Sequence, residues 1–152
     1  MKNPWKVILL ALLSGTLACK KTIIGNGDKQ VRFDFPGVAS TGQTWITYGY
    51  MNHHKFNMDY YAGVDSVFLS VWAVVPKVGN KGTIELYNIT DNTPITGSLI
   101  EVSANSTATL YQSANIKNNF PHKEITLGLR LTGVMNGELV EFHKTSLFIY
   151  KK

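Results

Sequence analysis

Residues 44–63, TWITYGYMNHHKFNMDYYAG, concentrate the side chains best suited to chemistry. They hold Trp45, Tyr48, Tyr50, Phe56, Tyr60 and Tyr61, six of the 17 aromatic residues in the chain, beside Asn52, His53, His54 and Asp59. Aromatic faces stack on the C–H faces of sugars, while Asn, Asp and His tips hydrogen-bond hydroxyls. On that reading Trp45, Tyr48, Tyr50, Asn52, His53, His54, Asp59, Tyr60 and Tyr61 are candidate ligand-binding residues for a saccharide or polymer. The competing reading is that Trp45, Tyr48 and Tyr50 pack a core and the rest closes one of its ends.

Other chemistry finds less support. Adjacent residues on a strand face opposite sides, so His53 and His54 do not share one metal ion. His122 and His143 are isolated, and Asp28, Asp34, Asp59, Asp65 and Asp91 are dispersed rather than gathered in a calcium loop. No metal and no cofactor is expected. The chain has no GxSxG elbow, HExxH helix or phosphate-cradling glycine loop. Glu85, Glu101, Glu138 and Glu141 are the acids from which a glycosidase-like carboxylate pair would have to come, but their spacing alone does not bring two together. Solvated strand edges are their ordinary place, and no catalytic residues are expected: the chain reads as a non-enzyme.

Lys and Arg number 15 against 10 Asp and Glu, a formal charge of +5, and no basic run exceeds two residues. That scatter speaks against nucleic acid. Charged residues are 16% and aromatics 11%, which excludes a disordered charged tail. The single cysteine, Cys19, excludes an intramolecular disulfide and a Cys-only zinc site.

Two lysines precede the apolar run VILLALL (7–13), and the small residues of SGTLA (14–18) lead into Cys19. A charged start, a short apolar run and a small-residue cleavage zone make a secretory signal. The run is too short for a bilayer, which needs about 20 residues of helix. Leu17-Ala18-Cys19 resembles the lipobox of bacterial lipoproteins, with Thr16 where leucine is usual, as in the looser boxes of Bacteroidetes lipoproteins. The resemblance implies cleavage before Cys19, acyl chains on Cys19, and attachment to the outer membrane of the cell envelope, periplasmic or surface-exposed. It divides the chain into a signal peptide (1–18), a lipidated cysteine with a tether (19–30) and a folded domain (31–152). Two or three acyl chains anchor stably where one does not. A flexible tether of this length reaches roughly 15–20 Å, which keeps the domain near the membrane.

From Val31 onward the pattern is that of strands. VRFDF (31–35) alternates and stops at Pro36-Gly37, and TWITYGY (44–50) is aromatic and β-branched. VDSVFLSVWAVV (64–75) is apolar on both phases, which predicts a central strand covered on both faces. GTIELYNI (82–89) follows a turn and is expected to be its hairpin partner. Residues 95–102 and 107–111 are short strand candidates. In 124–132, Ile125, Leu127, Leu129 and Leu131 share one face. Asn136-Gly137 predicts a hairpin into the last strand, 138–150, where the inward phase shifts and a bulge is expected near Lys144 to Ser146. That last strand is a candidate exposed edge, guarded by Lys144, Lys151 and Lys152. About eight short strands indicate an all-β, antiparallel, two-sheet sandwich.

GTIELYNITDNTPITGSLIEVSANSTATLYQSANI, followed by KEITLGLRLTG and TSLFIYKK, is similar to a jelly-roll module of extracellular bacterial proteins. The likeness spans roughly residues 64–152 and implies a fold related to galactose-binding-like and carbohydrate-binding sandwiches. It brings no catalytic residue. The favoured expectation is an envelope lipoprotein acting as a non-catalytic binding module for carbohydrate or polymer. The alternative is a structural or assembly subunit that docks an envelope protein.

Overall fold

The computed structural model describes residues 29–152, without the side chains of residues 49–51. The signal peptide, Cys19 and most of the tether therefore lie outside the described residues. Among those described, no helix is long and apolar enough to cross a membrane.

Ten strands are present among the described residues: β1 (Gln30–Phe35), β2 (Val38–Ser40), β3 (Ile46–Phe56), β4 (Val64–Val75), β5 (Lys81–Asn88), β6 (Thr93–Pro94), β7 (Ile100–Ser103), β8 (Asn105–Gln112), β9 (Ile125–Gly133) and β10 (Val140–Lys151). They form two antiparallel five-stranded sheets. The first runs β1-β10-β4-β8 with β2 also on β10, and the second runs β3-β9-β5-β6 with β7 also on β5. The count exceeds the eight expected because two lanes are interrupted. Pro36-Gly37 splits the first lane into β1 and β2, which keep one register on β10: Phe35 pairs with Thr145 and Val38 with Phe142. Residues 95–99 split the other into β6 and β7, and Ser98 bridges the gap by accepting the Leu86 N–H on its Oγ. Eight lanes in two sheets, with successive lanes exchanged between them, are the jelly-roll arrangement.

That exchange overturns three expectations. The turns at 76–80 and 134–139 stand where hairpins were expected, yet β4 and β5 lie in different sheets, as do β9 and β10. Turn residues reverse the chain without choosing its hydrogen-bonding partner, and here both turns carry it across the sandwich. Gly82 and its β9 partner Gly133 make room for one such crossing, because the Val140 side chain sits against both. The last strand is likewise no edge: β10 lies between β1 and β4. Among the described strands, the reversal that stays within one sheet is the turn from β5 into β6, and β7 passes to β8 in the other sheet through Ala104 alone.

Between the sheets, Val67, Leu69, Val71, Ala73 and Val75 of β4 meet Ile84 and Leu86 of β5 and Leu127, Leu129 and Leu131 of β9, all buried. The β9 face is the one its alternation predicts. In contrast, β4 is covered on one face only. Its second apolar phase, Phe68, Trp72 and Val74, points outward, and Trp72 is 43% exposed. In β10 the inward set is Val140, Phe142, Thr145, Leu147 and Ile149. The odd step from Phe142 to Thr145 is a bulge, seen as a register shift against β4 between Phe142 and Lys144.

Candidate binding face

Outward residues of the first sheet are set in rows by strand register. Asp34 of β1 lies opposite Ser146 of β10, Ser146 opposite Ser70 of β4, and Ser70 opposite Gln112 of β8. These four make a polar row across four strands. Ser146 Oγ donates to Asp34 Oδ1 at 2.6 Å, and Gln112 Nε2 donates to Ser70 Oγ at 3.3 Å. On one side of the row stand Lys144, Trp72 and Leu110, which are mutually opposite. On the other side Arg32 lies opposite Phe148, and Phe148 opposite Phe68.

The rings on that side form a cluster. Phe148 stacks on Tyr150 with centroids 6.1 Å apart, Phe68 meets Tyr150 edge-on at the same distance, and the Arg32 guanidinium lies 5.6 Å from the Phe148 centroid. Arg32 is held by Asp34, which accepts its Nε at 2.6 Å. Between Trp72 and this cluster runs a groove of about 250 Å³, floored by Ser70 and Ser146 and walled by Trp72, Leu110, Phe148, Tyr150, Arg32 and Lys144. Groups for stacking and groups for hydrogen bonding therefore face one concave surface. Gln112 keeps its amide oxygen without a partner among the described residues, and Ser146 keeps acceptor capacity.

The sequence-predicted residues are distributed over three environments instead of one. Trp45, 39% exposed, lies on the opposite, outer side of the second sheet, where the Arg130 guanidinium sits 4.6 Å from its ring and 4.5 Å from that of Tyr87. Arg130 Nε donates to Glu85 Oε1 at 2.5 Å, and only 8% of the Glu85 side chain is exposed. His54, close to Trp45 in the chain, is exposed, its Nδ1 3.3 Å from Thr126 Oγ1.

A second group is buried or half-buried. Tyr48 is half-buried against the core and donates its hydroxyl to the Ala39 carbonyl at 2.7 Å. Asn52 is buried on the outer side of the second sheet, over Gly128 in the outward phase of β9, at a four-against-one excursion of β3 past β9. His53 is buried with its ring edge-on to Phe33 and Phe35, and its Nε2 donates to the Asp34 carbonyl at 3.1 Å. Burial pushes the His53 pKa down, against the opposing pull of Asp34. Tyr61 stacks on Phe56 at 6.0 Å, and burial pushes its pKa up. The Tyr50 side chain lies outside the described residues.

The third group sits after β3, where a short helical turn carries Asp59 and Tyr60. Asp59 Oδ1 is 2.8 Å from His122 Nδ1, and the Tyr60 hydroxyl donates to Glu124 Oε1 at 2.6 Å. The Glu124 bond holds the Tyr60 pKa above its usual value. The four glutamates with catalytic potential each hold a basic side chain: Glu85 with Arg130, Glu101 with Lys81, Glu138 with Lys77 and Glu141 with His143.

Sequence reasoning missed Trp72, Phe148, Tyr150 and the polar row. The signal is present, since VFLSVWAVV and SLFIYKK place large rings on the phase opposite the aliphatic one. By composition alone both segments read as core.

No protein-family model matches the chain, and no curated protein sequence does. Among solved structures, one similar chain is a protein of Bacillus endospore appendages, described as a novel family of disulfide-linked pili. It shows 14% identity and a TM-score of 0.42, covering 88% of this chain and 99% of that one. Another is a mutant VP2 protein of Infectious Bursal Disease Virus from T=1 particles, with 15% identity and a TM-score of 0.43 over 99% of this chain. The present chain spans 37% of that VP2 chain. At these scores neither likeness carries an inference about function; the strand order itself identifies the chain as a two-sheet, all-β sandwich.

Proposed function

We propose that the chain is a lipid-anchored, non-catalytic module of the bacterial cell envelope that binds a saccharide through the outer face of its first sheet. One observation carries this reading: exposed Trp72 and the Phe148–Tyr150 stack flank the hydroxyl and amide groups of Ser70, Ser146 and Gln112 in a single groove. Sugars offer apolar C–H faces and hydroxyl edges together, and a sheet face with both kinds of partner recognises both. The test is a glycan array followed by Trp-fluorescence titration of the full chain in detergent. Trp72→Ala is expected to weaken binding at least tenfold, and Trp45→Ala to leave it nearly unchanged. The reverse ranking would move the site to the Trp45–Arg130 face, and absence of saccharide binding would overturn the reading.

Anchoring through Cys19 is part of the same proposal and is tested separately. Intact mass of protein from native membranes is expected to carry a diacylglyceryl increment that Cys19→Ala abolishes. An unmodified chain in the medium would refute it.

A second reading, an assembly subunit docking an envelope protein, is favoured by β8. This edge strand, NSTATLYQ, has no charged side chain and exposes Leu110. Uncharged edges are open to pairing. Cross-linking in the native envelope that recovers no protein neighbour would remove this alternative.

A further inference from the structure

We infer that the ligand of the first-sheet groove is an acidic saccharide whose carboxylate is met by Lys144, an inference that rests on the saccharide reading above. Both charged residues lining the groove, Arg32 and Lys144, are basic, and the one carboxylate beside it, Asp34 at the end of the polar row, is bonded to Arg32 and Ser146. The two cations differ in what they already hold. Arg32 is neutralised by Asp34, with contacts of 2.5 and 2.6 Å. Lys144 is exposed and has no ion pair or hydrogen bond among the described residues. The nearest acid on its own strand, Glu141, faces His143 at 3.4 Å.

The backbone has been altered to bring this ammonium to the groove. Along an unbroken strand Lys144 would share the inward phase of Val140 and Phe142. The bulge at His143 reverses that phase, so Lys144 joins Ser146, Phe148 and Tyr150 on the outer face. There it stands directly opposite Trp72, one inter-strand spacing of about 4.8 Å away. A sugar ring lying on the Trp72 indole has its ring substituents within reach of the Lys144 ammonium. Its hydroxyls then lie over Ser70, Ser146 and Gln112. A flexible ammonium with no partner suits an exposed carboxylate, whereas a neutral sugar leaves it unused.

Polygalacturonate and its fully methyl-esterified counterpart differ in that charge and in one small methyl group per sugar, and serve as probes for the full chain in detergent. The acid is expected to bind about five- to tenfold tighter than the ester, with a preference that shrinks as salt rises. Lys144→Gln, a change of one exposed side chain, should bring acid binding down to the level of the ester measured on the same variant, while Trp72→Ala weakens both. Equal binding of acid and ester would overturn the inference and leave the saccharide reading standing. A preference that survives Lys144→Gln would overturn the role of Lys144. Binding of polyglutamate as tight as that of the acid, insensitive to Trp72→Ala, would reduce the effect to general attraction of polyanions and overturn the inference. Binding of neither sugar would overturn both readings.

Discussion

Glu85 and Arg130 stand directly opposite each other in the β5–β9 register, with Nε and Oε1 2.5 Å apart. The carboxylate is nearly buried, while the guanidinium keeps 23% exposure between the Trp45 and Tyr87 rings. Arg130→Met strands a buried carboxylate, and the expected cost is about 2–3 kcal/mol, below that of a fully buried pair because the site is partly wet. Glu85→Gln combined with Arg130→Met is expected to recover most of it. Urea unfolding of the single and double variants checks this, and a double variant as unstable as the single would refute it.

His53 makes stability depend on pH. In the unfolded chain its imidazole takes a proton near pH 6.5, whereas burial in the folded protein lowers that pKa. The unfolded state therefore binds more protons in the window below about pH 6.5, and stability falls there as pH falls. The contribution is whole above pH 6.5 and is lost on descent toward the depressed folded value, by at most about 1.4 kcal/mol per pH unit. His53→Leu is expected to remove this component from a plot of unfolding free energy against pH, followed from mildly acid to mildly alkaline solution. Profiles of identical shape would contradict the assignment.

Thr145 lies fully buried opposite Val71 in the β4–β10 ladder, and its hydroxyl has no hydrogen-bond partner among the described residues. Replacing it by the isosteric valine removes a desolvated polar atom without opening a cavity. Thr145→Val is expected to stabilise the fold by about 1 kcal/mol, visible as a raised Tm. A lowered Tm would mean that the hydroxyl has a partner in solution.

Gly82→Ala tests the crossing between β9 and β10. A methyl at this position overlaps the Val140 side chain and crowds the Phe142 ring. The expected loss is about 1–3 kcal/mol, and Val140→Ala in the same chain should relieve part of it. A Gly82→Ala variant as stable as the parent would show that β10 can withdraw from β5 without cost.

The elements themselves were legible because burial writes a period of two into β9 and β1, and Pro36-Gly37 and Asn136-Gly137 mark where the chain turns. The bulge in β10 was legible for the same reason, as a break in that period within a residue or two of its place. Pairing was not, since Asn136-Gly137 looks the same whether the next strand lies beside β9 or across the core from it. The site was partly hidden by the chemistry of aromatic residues. Trp72 and Phe148 have the composition of core and owe their exposure to the absence of a third layer over the first sheet among the described residues. Residues 44–63 attract notice by density, yet the two irregularities of β3 against β9 leave His53 turned inward and Trp45 and His54 on an outer face.

The placement of β10 has a consequence for how the molecule comes into being. β1 and β2 have β10 as their hydrogen-bonding partner, and among the described strands β10 alone links them to β4 and β8. Gln30 must wait for Tyr150. Because the pairing of β1 with β10 closes a loop of nearly the whole domain, slow assembly is expected, and a single slow phase in stopped-flow refolding checks it. A chain stopped before its final twelve-residue strand holds the apolar faces of β1 and β4 without the strand that joins them. Such a chain is expected to aggregate or be degraded, and limited proteolysis of a chain truncated before Val140 checks this.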